Sequence, residues 1–311
     1  MTTSITQLDT AGRRFYPDML FAFTDTVTQE MDTDPRLAVV LADISTPEFA
    51  DAAARHPGRV VNVGIREQLM IGTACGMALT GLRPVVHTIA SFLTQRPYEQ
   101  IKLLGHQGAA AVLVGYGASY DITEQGRTHF APEDVALFET LPGWTIHVPG
   151  HPDEARQVLL DALRGDDCVY IRLSARVNHQ AHPTGGFRTI RQGRAGTVLA
   201  VGPTLDTVLR ATAHRDVTVL YASTVRPFDE IALRTAVLAA DHPDVVLVEP
   251  YLAGTSAHHV DRTLVHVPHR LLALGVSRDT ELHAYGSPED HDIAHGLDEA
   301  GIARAVAAFL R

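Results

Sequence analysis

Two cysteines, Cys75 and Cys168, are too few to build a disulfide framework in a chain of 311 residues. No apolar run approaches the roughly 18 residues that a membrane-spanning helix needs, so a soluble protein is expected. Basic residues are outnumbered, 26 against 36 acids, and form no cluster. With a net charge of -10, a surface for nucleic acid or an anionic membrane is excluded, because both require grouped cations that displace counterions. The opening Met1-Thr2-Thr3-Ser4 lacks the basic-then-apolar order of a secretory signal, and cytoplasmic residence is expected. Tandem repeats and low-complexity tracts are absent as well.

What remains is the composition of a globular protein, 45% hydrophobic and 20% charged, with a length that suits two domains at roughly 150 residues each. Short β-branched apolar runs alternate with segments of helical spacing, which predicts an α/β fold with mainly parallel sheets flanked by helices. The runs fall at 37–42, 60–63, 84–89, 110–116, 145–148 and 168–173, and their unbroken hydrophobicity predicts burial on both faces. Helices are expected at 66–80, 96–104, 132–140 and 152–164, the last with Pro152, Asp153 and Glu154 in its first turn. Residues 176–196 lose periodicity and gain Pro, Gly and polar residues, as a linker does.

A second alternation follows, with strands at 197–202, 217–222, 245–249 and 270–274 and helices near 204–214, 228–240 and 297–310. The domains are therefore expected at 1–175 and 197–311, joined by the linker 176–196.

Seventeen histidines raise the question of a metal, with His258-His259, His266 with His269, and His291 with His295 as the suggestive spacings. Neither a cysteine nor a carboxylate sits at a partnering interval, so no metal site is expected from them. Gly115-Tyr116-Gly117 follows a strand but lacks the third glycine and the helix of a dinucleotide loop.

The most informative stretch is Val61-Asn62-Val63-Gly64-Ile65-Arg66-Glu67-Gln68, which reads as a buried strand, a glycine turn, and a helix with an acid in its first turn. By itself Glu67 need only complement the helix dipole. The segment NVGIREQ, however, resembles the NVGI-x-E-[QH] segment of the pyrimidine-binding domains of transketolases and 1-deoxyxylulose-5-phosphate synthases. In order along the chain, GLRPVVHTIASFLTQRPYEQIK and GRTHFAPED resemble the strand-aromatic-helix region and the G-x-[ST]-H motif of split, two-subunit transketolases. Residues 223–254 also resemble the family's C-terminal domain, so the resemblance covers nearly the whole chain.

That resemblance implies a thiamine diphosphate enzyme in which Glu67 bonds the ring nitrogen of the aminopyrimidine. An apolar pocket around the carboxylate would raise its pKa for sharing a proton there. Phe92 takes the place of the ring stacked on the pyrimidine, whereas Tyr98 is expected to serve packing. Asp43, after the first strand, matches the acid of the family's D-[LI]-[ST] segment, with a turn or N-cap role as the alternative. Ile65, in the same segment as Glu67, is grouped with Glu67, Phe92 and Asp43 on the cofactor side. His129 matches the histidine that faces the substrate.

Two departures bear on that substrate. Transketolases that take phosphorylated ketoses usually carry an Asp four residues before the motif histidine, and many carry another His near the start of its loop. Here these positions hold Gln125 and Gly117. Arg127 replaces a frequent proline, and Arg172 and Arg176 flank the strand end where the family has a phosphate-binding arginine, which keeps an anionic substrate open.

The superfamily's Gly-Asp-Gly diphosphate motif is missing from the sequence. The resemblance therefore implies a diphosphate-binding partner chain, an N-terminal transketolase subunit, that holds the diphosphate with Mg2+ or Ca2+, in an α2β2 assembly. The expected activity is transfer of a two-carbon ketol unit. The alternatives are the β subunit of a thiamine-dependent 2-oxo acid decarboxylase or dehydrogenase, a 1-deoxyxylulose-5-phosphate synthase-like half, or a non-catalytic regulatory subunit.

Overall fold

A computed structural model describes residues 16–310; residues 1–4, on which the expected location rests, lie outside the described residues. Helix α1 (Met19–Thr33) starts where the Asp18 carboxylate accepts from the Phe21 N–H at 2.7 Å. It precedes β1 (Leu37–Leu41), α2 (Ala50–Arg55), β2 (Val60–Asn62), α3 (Glu67–Leu79) and β3 (Arg83–Ile89). Next come α4 (Ala90–Gln95), α5 (Tyr98–His106), β4 (Val112–Tyr116), α6 (Asp134–Glu139), β5 (Trp144–His147), α7 (Pro152–Arg164) and β6 (Cys168–Arg172).

The rest of the chain forms β7 (Arg188–Arg191), β8 (Thr197–Val201), α8 (Leu205–Ala211), β9 (Thr218–Ala222), β10 (Thr224–Arg226) and α9 (Glu230–Ala239). It ends with β11 (Asp244–Leu252), α10 (Ala257–Thr263), β12 (Arg270–Val276), α11 (Pro288–His295) and α12 (Glu299–Phe309). Among the described residues, no helix is long and apolar enough to cross a membrane.

These strands make two sheets, ordered β10-β5-β6-β4-β3-β1-β2 and β12-β11-β8-β9-β7. Pairing is parallel throughout except at β10 and at β7, each of which lies antiparallel on its neighbour at a sheet edge. Strands β1 and β3 are buried along their whole length, as their unbroken apolar runs require when helices cover both faces. On one face of the first sheet, Met19, Phe23, Val27 and Met31 of α1 pack with Val158 and Leu159 of α7. On the other, Met70, Ile71 and Ala74 of α3 and Ile101 and Leu104 of α5 join a cluster that runs on to Leu199, Leu220 and Val260 of the second sheet's layer.

Two expectations change. The stretch 176–196 is not a bare linker, because Arg188–Arg191 pairs with β9 as an edge strand. The helix expected at 96–104 begins at Tyr98, and a separate short helix, α4, precedes it directly after β3. The break matters because it sets Phe92 on α4 and Arg96 at its C-cap.

The histidine pair His291 and His295 stacks on the Tyr120 ring, with centroids at 5.0 and 5.7 Å, so their spacing serves packing. His269 bonds Asp261 at 3.1 Å.

Candidate active site

Open parallel sheets gather functional groups beyond the carboxyl ends of their strands. Here four adjacent strands, β4, β3, β1 and β2, deliver His129, Phe92, Asp43 and Glu67 respectively at or after those ends. Asn62 closes β2 and organises the turn: its Oδ1 accepts from the N–H groups of Asp43 at 3.0 Å and Gly64 at 2.9 Å. Gly64 has φ 71°, a left-handed conformation that glycine adopts without steric cost, and the chain then enters α3 at Glu67.

Although it opens a helix, Glu67 is buried, with its side chain 4% exposed. The pocket is not purely apolar as expected, since the Arg96 guanidinium donates to Glu67 Oε1 at 2.6 Å. The same guanidinium lies 3.7 Å from the centroid of the Phe92 ring. Phe92 in turn meets the His129 ring edge to face, with centroids 4.8 Å apart and planes at 63°. Three residues expected at the site, Glu67, Phe92 and His129, thus form one contiguous chain of contacts, and Arg96, which the sequence reading missed, is its link.

His129 belongs to a loop of two short 3-10 turns, tied to α4 by the Ser91 hydroxyl donating to Thr128 O at 3.2 Å. Burial, and then the positive charge of Arg96, hold its imidazole below the ordinary histidine pKa. Gln125 is exposed in the same loop. At Gly117 φ is 71°, and a Cβ would stand 2.3 Å from Ile122 Cδ1, so this loop has no room for the histidine that many transketolases place there.

Asp43 adopts φ 74°, and its carboxylate accepts from Asn62 at 3.3 Å, which ties the ends of β1 and β2. Ile65 is 71% exposed at the turn before α3. Arg127 donates to Glu133 at 3.0 Å and also pairs with Glu281.

Arg172 is 1% exposed, bonded to Asp134 at 2.8 Å and to the Ser119 hydroxyl at 2.6 Å. Arg176 makes a two-pronged bond to Asp292 at 2.6 and 2.7 Å. The expectation that one of these arginines receives an anion meets side chains already engaged by carboxylates of the same chain. Tyr98 packs on the first core and bonds Thr140, as expected of a packing residue.

Helix α3 is apolar on more than its inward side. Ile65, Leu69 and Leu79 are exposed by 71, 50 and 59%, and Gly72 and Gly76 lie on the same outward stripe. Exposed large apolar side chains grouped on one side of a helix mark a face that another surface is suited to cover.

Comparison with known proteins accords with this geometry. Residues 16–178 match the family described as "Transketolase, pyrimidine binding domain". The chain is 54% identical to an "uncharacterized 33.6 kDa protein in fasciation locus" of Rhodococcoides fascians, over 95% of this chain and 96% of that one. It is 29% identical to the 6-deoxy-6-sulfo-D-fructose transketolase subunit SqwH of a Clostridium species, over 72% of this chain and 76% of the relative.

It is also 31% identical to the 1-deoxy-D-xylulose-5-phosphate synthase of Thioalkalivibrio sulfidiphilus, where it spans 90% of itself but only 45% of the relative. Among solved structures, the fold matches a "split gene transketolase, inactive beta4 tetramer" with a TM-score of 0.79 at 22% identity, covering 94% of this chain and 97% of that one. Matched by this family over more than half its length, the chain belongs to the transketolase family.

Proposed function

We propose that this chain is the subunit of a split, thiamine diphosphate-dependent transketolase that holds the aminopyrimidine, and that a separate diphosphate-binding chain completes the site. The observation that carries the proposal is the buried Glu67 carboxylate at the mouth of the sheet, one oxygen held by Arg96, next to the half-buried ring of Phe92. A carboxylate and an aromatic face in that relation fit the ring nitrogen and the plane of an aminopyrimidine. Thiamine diphosphate, when bound, supplies the carbanion chemistry.

In this reading the roles of the chain's own residues follow from their positions. Glu67 holds a proton at the pyrimidine ring nitrogen, Phe92 orients the ring, and His129 faces the substrate. The domains proposed are 1–175 for the pyrimidine side and 197–311 for the C-terminal unit, with 176–196 between them.

A partner is supported by two features. The sequence carries no Gly-Asp-Gly segment for a diphosphate and its Mg2+ or Ca2+, and the outward stripe of α3, which begins at the turn leading into Glu67, is apolar and exposed. An α2β2 assembly would cover it. The reaction proposed is transfer of a two-carbon ketol unit from a ketose or sugar-like donor.

The test is to purify the chain with a diphosphate-binding chain bearing the Gly-Asp-Gly pattern and to titrate thiamine diphosphate. Turnover is then measured on free ketoses, ketose phosphates and pyruvate. Glu67→Ala is expected to leave the circular dichroism spectrum intact and lower turnover by about 10²- to 10⁴-fold. Turnover within a factor of two of the unaltered chain would remove Glu67 from the mechanism. Failure of the pair to bind the cofactor would favour a regulatory subunit, and activity on pyruvate a synthase-like one.

A further inference from the structure

Far from the cluster around Glu67 in sequence, the fold brings together three donors that lie on two separate elements. Glu139 ends α6, and His258 and His259 stand in the first turn of α10. Glu139 Oε2 is 3.4 Å from His258 Nε2 and 3.1 Å from His259 Nε2, and the three ligand atoms all lie within 4.8 Å of one another. For a tetrahedral ion bonded to nitrogen and oxygen at roughly 2.0–2.1 Å, the ligand-to-ligand edge is about 3.3 Å. Two of the three edges already have that length, before any ion draws the third together.

The surroundings hold these donors in place. His259 is stacked on the Phe228 ring, with centroids 5.2 Å apart and planes at 14°. The second oxygen of Glu139 is engaged by Arg226, an outer partner of the kind that orients a ligating carboxylate. His258 stands at the rim, 60% exposed.

The three residues line an open cavity of about 520 Å³ between Trp144, Phe228 and Glu230, which leaves a fourth position for water. The carboxylates of Glu139 and Glu230 balance the guanidinium groups of Arg226 and Arg262 that also line it, so the ion enters a cavity without net repulsion. Arg262 lies 3.3 Å from His259 Nδ1 and would withdraw to Glu230, with which it is already paired, once that nitrogen carries a proton.

We propose that Glu139, His258 and His259 form a three-ligand site for Zn2+, with an open fourth position, that ties α10 to the end of α6. The mixed nitrogen and oxygen donor set suits Zn2+ and not Mg2+ or Ca2+, which take oxygen ligands.

The experiment uses the full chain purified without a histidine tag and measures zinc by equilibrium dialysis, with the visible absorption of bound Co2+ reporting a tetrahedral geometry. About one equivalent per chain is expected, unaffected by excess Mg2+. His258→Ala, at an exposed side chain, should weaken binding about tenfold or more, whereas His258→Cys, which restores a zinc ligand, should retain it. His283→Ala, at a side chain 74% exposed and remote in sequence, is the control that leaves binding unchanged. No retained zinc in the unaltered chain, or equal retention in the His258→Ala chain, overturns the proposal.

Discussion

Arg96 touches both ends of the candidate site. It donates to the carboxylate of Glu67, covers the Phe92 ring, and places a positive charge near His129. Since that charge is the second cause, after burial, that lowers the His129 pKa, Arg96→Ala should raise it toward the ordinary histidine value. Titration of the His129 ring protons by NMR would register the change. An unmoved titration would mean that the loop is displaced from α4 in solution.

At this scale the sequence was partly readable. Glu67, Phe92 and His129 lie in segments that resemble a family, and the fold brings them together. Arg96 lies in one of those same segments, but its bond to Glu67 spans 29 positions and depends on the break between α4 and α5. The ion pairs of Arg172 and Arg176 were not legible for the converse reason. A strand-end arginine looks available until carboxylates 38 and 116 positions away are placed against it.

Among the elements, α3 is the one whose pattern carries most. Its inward residues Met70, Ile71 and Ala74 anchor it to the core, and Leu69, Gly72, Gly76 and Leu79 beside Gln68 are exposed on its outward side. Leu69→Arg should therefore leave the isolated chain's stability within about 0.5 kcal/mol, as for most exposed positions, and abolish co-purification with a diphosphate-binding chain. Thermal melting checks the first outcome and size-exclusion chromatography the second.

The long strands were legible because β-branched runs buried on both faces leave no polar alternation to confuse them. Strand β7 was not, since Arg188 and Thr189 face solvent at a sheet edge and the run reads as polar linker. Strand β10 is only three residues long and gives no period to read.

For the molecule as a whole, buried ionisable groups pull stability in opposite directions with pH. Burial pushes Glu249 up from 4.5 to about 7, so its contribution is present below pH 4.5 and lost as pH rises through 7. Burial lowers His87 and His147 from 6.5 to about 4, and their contributions, present above 6.5, are lost as pH falls through 4. Glu249→Gln isolates the first effect. Relative to the unaltered chain it should gain on the order of 3 kcal/mol between pH 4.5 and pH 8, read from urea unfolding at both values. A constant difference across that range would show that Glu249 stays ionised in the folded protein.

The seven-stranded sheet begins with residue 37 and takes its last strand from residues 224–226. A gene fragment ending anywhere before that strand would leave Trp144–His147 as a bare, sticky margin, with the ring of His147 stripped of its bond to Thr224. The edge of the first sheet is thus closed by a strand that the chain supplies only after it has begun the second sheet.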